Sequence, residues 1–380
     1  MKNKLSIAIG LTLALSASST CFAANNSTIT PVNSITGNAT LSLDQVLNDI
    51  EKNSVSIQTK GQKILLYQRQ FDRDNMNAAL INDSGTSEAS YPAGQYVNIK
   101  LVTDVIPKAD EQNIKDAKHD KDDSLQNLKF STEQQYLSAL TNQDQINTIN
   151  DQIKNVEEQI AQTKVKIANG QLTNNDLQSL LVQESQLQAS LNQPKAQLQQ
   201  NLLSIKQTIN MDLDGDLTLV PAEKSFVKYD DSNIEDKINK AVDNNYNIGK
   251  INNNLDILRI KEGIYKKYSY NDASGEVSTG LSIEDLENSR TNTILTIKTN
   301  LWNGYYGLKG LEDTVETEQA KVASAQSTYD TVEAKVQQGV AIQLQADSAA
   351  LALKSEKINL KNAINNYMVT VEQFEYNLTQ

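Results

Sequence analysis

Three groups of residues have types and spacing that could do chemistry. In Asp212-Leu213-Asp214-Gly215-Asp216 the alternate carboxylates could converge on one hard cation, as in a calcium loop. The run lacks a later bidentate Glu and a twelve-residue frame. It follows a helix end at Asn210 and precedes the apolar Leu217 to Pro221, so it reads as a connecting turn. His119 is the sole histidine and sits in the charge run Lys118 to Asp123, which reads as a solvated helix foot. Nucleophilic catalysis needs a base beside a Ser or Cys. The sole cysteine, Cys21, lies in an N-terminal leader, so no such pair is in view and the reading is non-enzymatic, without cofactor or metal. That leaves Gly170 and Gly339, whose contribution is conformational: each interrupts a long helical pattern and can take the left-handed backbone that ends a helix. They are the candidate functional positions.

The elements that must position these glycines form a repeat. Shifting the chain by 169 residues brings Tyr136 onto Tyr305, Lys166 onto Lys335, Gly170 onto Gly339 and Leu191 onto Leu360, with no gap from Ser131 to Ile209. A smaller block precedes each copy, where Leu43, Leu47, Asn53 and Ile57 answer Ile234, Ile238, Asn244 and Ile248. Inside the first copy Ile146, Ile149, Ile153, Val156, Ile160, Thr163 and Ile167 step alternately by three and four, the seam of a coiled coil. Val315, Val322, Ala325, Tyr329, Val332 and Val336 repeat it more weakly. Each half is therefore helix, glycine break, helix: an antiparallel hairpin whose first arm, Ser131 to Ala168, spans roughly 57 Å.

Thr173 with Asp176 reads as the cap of the returning helix, and Ser42 with Gln45 and Ser232 with Glu235 as capping boxes that open helices running to about Ala79 and Tyr268. Pro194, whose counterpart is Ala363, predicts a bend. Between the elements, Asn82 to Pro107 and Ser269 to Leu301 read as non-helical inserts with strand-like Tyr96 to Val102 and Thr293 to Ile297. The expected fold class is all-α in the main, with long antiparallel coiled-coil hairpins in two tandem repeats and short β segments in the inserts.

Composition sets the boundaries. With 38% hydrophobic and only 5% aromatic residues, one thick globular core is not expected. A thin apolar stripe on a long rod predicts packing of the halves on each other and on sister chains. The formal charge of −12 repels phosphate backbones and excludes nucleic acid as a partner. Residues 1–23, with Lys2, Lys4 and an apolar run ending at Cys21-Phe22-Ala23, read as a secretory signal; 24–40 are polar and read as disordered. The repeats are assigned to 41–220 and 231–380.

The ordered combination of leader, tandem halves, the Leu41 to Leu47 start (Leu-Ser-Leu-Asp-Gln-Val-Leu) followed by Asn53, and a long helix closing in Lys166-Ile167-Ala168-Asn169-Gly170-Gln171-Leu172 resembles the TolC-type outer-membrane efflux protein family. The second tip, Val336-Gln337-Gln338-Gly339-Val340-Ala341-Ile342, is similar to that family's second turn. The resemblance covers Leu41 to the C-terminus. It implies an export or efflux duct: a homotrimeric helical tunnel topped by a β-barrel and docked through its tips on a periplasmic adaptor (membrane fusion) protein of an inner-membrane pump. Lys166, Ile167, Asn169, Gly170, Gln171, Leu172, Val336, Gln338, Gly339, Val340, Ala341 and Ile342 would be the partner-binding residues. Localisation would be outer membrane or periplasm, or the cell surface in a single-membrane organism.

This chain departs from the family at Ser54 and Asn245, where proline is common, and at the tips, where Lys166-Ile167 and Lys335-Val336 replace the usual arginine and aromatic. Both inserts are also too polar or too charged for pairs of lipid-facing strands, which implies a reduced barrel region and leaves membrane contact open. The competing reading is a barrel-less coiled-coil spacer at the cell surface.

Overall fold

The computed structural model describes residues 34–85, 87–270 and 272–380. The leader and residues 24–33 lie outside the described residues. The described chain belongs to one compact unit, Val32–Gln380, in which both repeats lie.

The first repeat runs β1 (Ala39–Leu41), α1 (Leu43–Asn53), α2 (Val55–Asp83), α3 (Tyr96–Lys100), a wide π turn at Leu101–Val105, α4 (Ile106–Ala168), α5 (Asn174–Ser190), α6 (Asn192–Thr208) and β2 (Leu217–Leu219). The second runs α7 (Ile234–Asp243), α8 (Tyr246–Tyr268), α9 (Ser274–Gln337) and α10 (Gln343–Asn377). α4 and α9, of 63 and 64 residues, are the long arms and each extends about 95 Å. α5, α6 and α10 all pack on α4, α9 packs on α10, and at the end away from the glycines α2 lies on α4 and α8 on α9.

The seam residues do what their spacing predicts. Ile146, Val156, Ile160 and Thr163 are buried on α4, and Leu353, Tyr367, Val371 and Phe374 on α10. Polar links lock the two halves along the same line: Lys354 to Asp151 at 2.8 Å, Lys361 to Asp144 at 3.0 Å and Ser348 Oγ to Asn155 Oδ1 at 3.0 Å. The first repeat is fastened by Tyr136, fully buried with Val46, Ile50, Ile205 and Ile209, whose hydroxyl donates to the carbonyls of Leu41 (3.0 Å) and Val220 (2.7 Å). Those carbonyls end the parallel pair β1–β2, in which Ala39 faces Leu217. An extended strap, residues 220–233, then crosses to the second repeat. Lys224 bridges Glu133 and Glu372, the Tyr229 N–H donates to the Tyr367 hydroxyl at 2.8 Å, and Lys228 meets Glu312 at 2.7 Å.

Several expectations are corrected. Among the described residues neither insert holds a strand: the short β segments are β1 and β2, while Tyr96 to Val102 and Thr293 to Ile297 are helical. The reason is tertiary. Ile294, Ile297 and Leu301 recur by three and four and pack on Ile238, Val242 and Ile248, leaving Leu295 outside at 60% exposure, so local β preference yields to burial of one helical face. Glu287 and Arg290, which break a strand pattern, become surface links of α9 to Arg259 (3.1 Å) and Asn252 (2.7 Å).

Residues 34–40, read as disordered, include β1 and an Ile35–Met211 bridge. The Ser232–Glu235 box does not form. Asn233 at φ +59° is the residue preceding α7, and the Ser232 N–H goes instead to Asp230 at 3.0 Å. The Ser42 box forms in both directions. His119 is not a free solvated side chain: its ring stacks on Tyr246 at 3.7 Å.

One buried acid makes the seam of α2 and α4 sensitive to pH. Asp110 is 4% exposed and its Oδ1 accepts from Gln70 Nε2 at 3.1 Å, while Oδ2 receives no hydrogen bond. Burial, and then the neighbouring Asp74 carboxylate, push Asp110 up to about 6, against smaller opposing effects of Asn113 and Arg73. A raised acid favours the folded chain when protonated. Its contribution is full below the ordinary carboxylate range and is lost as pH rises through about 6. Urea midpoints measured from pH 4 to 7.5 are expected to show this loss in the native chain and not in Asp110→Asn; parallel profiles would contradict it.

Candidate functional site

Both glycine turns are built alike, from backbone alone. α4 closes with the Gln171 N–H on the Lys166 carbonyl and the Gly170 N–H on the Ile167 carbonyl, each 2.9 Å. α9 closes with the Val340 N–H on the Lys335 carbonyl and the Gly339 N–H on the Val336 carbonyl, again 2.9 Å. This is the paired closure of a Schellman end, and it requires a left-handed residue at its centre. Gly170 has φ +73° and Gly339 φ +74°, with open space where a Cβ would stand. The glycines are therefore demanded by backbone conformation and not by crowding.

The returning helices start differently. Thr173 and Asp176 form the expected box: the Asp176 carboxylate accepts from the Thr173 N–H (2.9 Å) and hydroxyl (2.7 Å), which holds that exposed carboxyl below its usual range. At Ile342 only one half exists, an N–H given to Gln345 Oε1 at 3.2 Å, since isoleucine has no oxygen to return.

The structure brings the sequence-predicted residues together at one end. Lys166 and Ile342 line the same cavity. Ile167, Val336 and Ala341 are half-buried supports, whereas Lys166, Asn169, Gly170, Gln171, Gln338 and Gly339 are exposed. The apolar side chains among them stand out: Val340 is 73% exposed and Ile342 52%, with Leu172 at 36%. Val165, which the sequence reading passed over, adds another at 62%; its position off the buried seam was the available signal. Such an end presents open backbone turns and apolar side chains to solvent.

Other candidates resolve into structure. Asp212 to Asp216 is a turn in which the Asp214 N–H donates to Asp212 Oδ1 at 3.1 Å; among the described residues no group of three or more His, Cys, Asp or Glu could hold a metal. Pro194 is buried just past a break at Leu191 that separates α5 from α6, while its counterpart Ala363 lies within unbroken α10. Trp302 packs edge-on to Tyr305 and face-on to Tyr306 on α9, beside the Ile238 cluster, and the Tyr305 hydroxyl donates to Asp231 at 3.0 Å. Among the described residues no helix is long and apolar enough to cross a membrane.

No family model and no curated protein matches the chain in sequence. Solved structures do match in shape. The CusC channel superposes with a TM-score of 0.66 at 11% identity, over 88% of this chain and 91% of that one. The Campylobacter jejuni CmeC outer membrane channel gives 0.66 at 11% over 89% and 85%, and the Vibrio cholerae outer membrane protein VceC 0.62 at 10% over 89% and 96%. Identity this low speaks for the fold alone: the chain has the tandem helical-hairpin fold of the TolC-type outer-membrane channels.

Proposed function

We propose that the chain is a non-enzymatic component of an export or efflux duct, assembled as a homotrimer and docked through the Gly170 and Gly339 tips on the helical hairpin of an adaptor protein that serves an inner-membrane pump. The observation that carries the reading is the pair of matching backbone turns at one end of the rods, with Val340 and Ile342 presented to solvent. Incomplete burial of the rods supports assembly: α5 has no buried residue, although it carries Leu177, Leu180, Leu181, Val182 and Leu187. A helix of that composition is stabilised mainly by what covers it. Sister chains would cover it and enclose a passage. The place of action is the outer membrane or periplasm, or the cell surface where there is one membrane.

Two variants test the docking. Val340→Glu leaves the backbone turn intact and is expected to abolish capture of the adaptor, read in a pull-down, with helicity by circular dichroism unchanged. Gly339→Pro, which cannot reach φ +74° and loses the N–H given to Val336, is expected to do the same. Undiminished capture by both removes the tip assignment. A monomer in mass photometry at micromolar concentration removes the duct.

One observation favours the second reading, a barrel-less spacer at the cell surface: among the described residues neither insert holds a strand, where the family resemblance places barrel strands. An oligomer that stays in solution without detergent and passes no cargo would select it.

A further inference from the structure

A cavity of about 730 Å³ opens where α1 gives way to α2, roughly 60 Å along α4 from Gly170. Ser54, Val55 and Ser56 reach it from the start of α2, Ser124 and Asn127 from α4, and Gln207 from the end of α6. Among the described residues no acidic, basic or aromatic side chain lines it. Its volume lies in the range of small-molecule sites, about 300–1,000 Å³.

The start of α2 is left open toward this space. The Val55 and Ser56 N–H groups belong to a first turn that a helix cannot satisfy internally, and they find no acceptor among the described residues. Ser54 stands where a cap belongs, yet its hydroxyl does not cap α2 and makes no hydrogen bond among the described residues. Ser54 is 4% exposed, and its oxygen lies on the cavity wall without being sealed in protein. The first turn also carries no acidic side chain to offset the positive helix end.

The second repeat fills the equivalent place with its own atoms. In the register that sets Asn53 on Asn244, residues Ser54, Val55 and Ser56 fall on Asn245, Tyr246 and Asn247. There the Asn245 carboxamide oxygen accepts from the Asn247 N–H at 2.9 Å, and a main-chain oxygen of Gln380 accepts from the Tyr246 N–H at 2.6 Å. The two amides that stand open on α2 are therefore each held by an oxygen on α8. Met211, the first-repeat counterpart of Gln380, is buried in the bridge with Ile35 and gives Val55 no such oxygen.

We infer that ligand oxygens take these places on α2 and that the cavity binds a phosphate monoester of a polyol, a property beyond the duct reading and independent of it. Open N–H groups at a helix start favour an anion. The hydroxyls of Ser54, Ser56 and Ser124, free of partners among the described residues, add donors for the several oxygens of a tetrahedral group. Farther in, the Asn127 and Gln207 carboxamides both donate and accept, which suits a hydroxylated body, and no ring is present to stack a base.

Isothermal titration of the purified protein with glycerol 3-phosphate, in phosphate-free buffer, tests this. One saturable site is expected. Glycerol lacks the anion, glycerate replaces the phosphate with a flat carboxylate, and inorganic phosphate lacks the body, so each should bind at least tenfold more weakly. Ser56→Asp sets a carboxylate on the open helix end and should weaken binding of the ester at least tenfold, while Tm holds or rises because an acid in the first turn suits the helix. Ser54→Ala should weaken it several-fold at unchanged Tm, since the hydroxyl has no bond within the chain to lose. Thr296→Asp, the same added charge on an exposed position of α9, should leave binding as it was. Absence of saturable binding, full affinity in Ser56→Asp, or glycerate or inorganic phosphate binding as tightly as the ester each overturns the inference.

Discussion

Glu312→Ala is expected to lower unfolding stability by about 3–5 kcal/mol, among the largest losses available to a single change in this chain. The carboxylate is 2% exposed on α9 and accepts from Lys309 (2.8 and 2.9 Å) and Lys228 (2.7 Å), the latter reaching over from the strap of residues 220–233. Burial works against its charge, but the two lysines outweigh burial and hold the carboxyl below its usual range. Removing it leaves Lys309 without its main partner and takes away one tie of the strap to the long arm, leaving Tyr305–Asp231 and Lys228–Glu316. Because the carboxyl is depressed, its contribution is present above the ordinary carboxylate range and fades as pH falls through the lower folded value, so the deficit of the variant should shrink in acid. Lys228 is 59% exposed and regains water readily, which places the loss toward the lower end. Urea unfolding followed at 222 nm reads the effect; a shift of the midpoint equivalent to less than about 1 kcal/mol would show the network to be incidental.

Tyr136→Ala is the second. It opens a cavity in the first-repeat core and removes the hydroxyl that joins the ends of β1 and β2, for an expected loss of about 3–5 kcal/mol. Tyr136→Phe keeps the ring and deletes only the hydroxyl, taking the phenolic donor from the Val220 carbonyl while the Leu41 carbonyl keeps the Val220 N–H at 3.0 Å, at about 1–2 kcal/mol. The pair separates packing from the polar tie, and equal losses in both variants would assign everything to the hydroxyl.

What the sequence disclosed follows from how local each feature is. The seam from Ile146 to Ile167 is a periodicity within one helix, and the turns at Gly170 and Gly339 are closed by atoms within a few residues, so both are legible. The inserts misled because Thr293 to Ile297 and Tyr96 to Val102 are rich in β-formers, while their helical state is decided by faces on other elements: the Ile238 cluster for Ile297, and Tyr268 packing edge-on to Tyr96 at 5.1 Å. β1 was missed for the same reason. Ala39 finds its partner at Leu217, and no pattern near Ala39 announces it. At the candidate site, the exposure of Val340 and Ile342 follows from their turn, which lies within a few residues of Gly339.

The pairing of Ala39 with Leu217 also imposes an order of events during synthesis. A chain emerging N-terminus first presents β1 long before its mate exists, and the whole of the first hairpin must be made in between. The opening strand waits as an unpaired edge, open to mispairing, until β2 is released. A chain truncated before Leu217 and released should therefore be far more protease-sensitive at its front than one truncated a few residues past Val220.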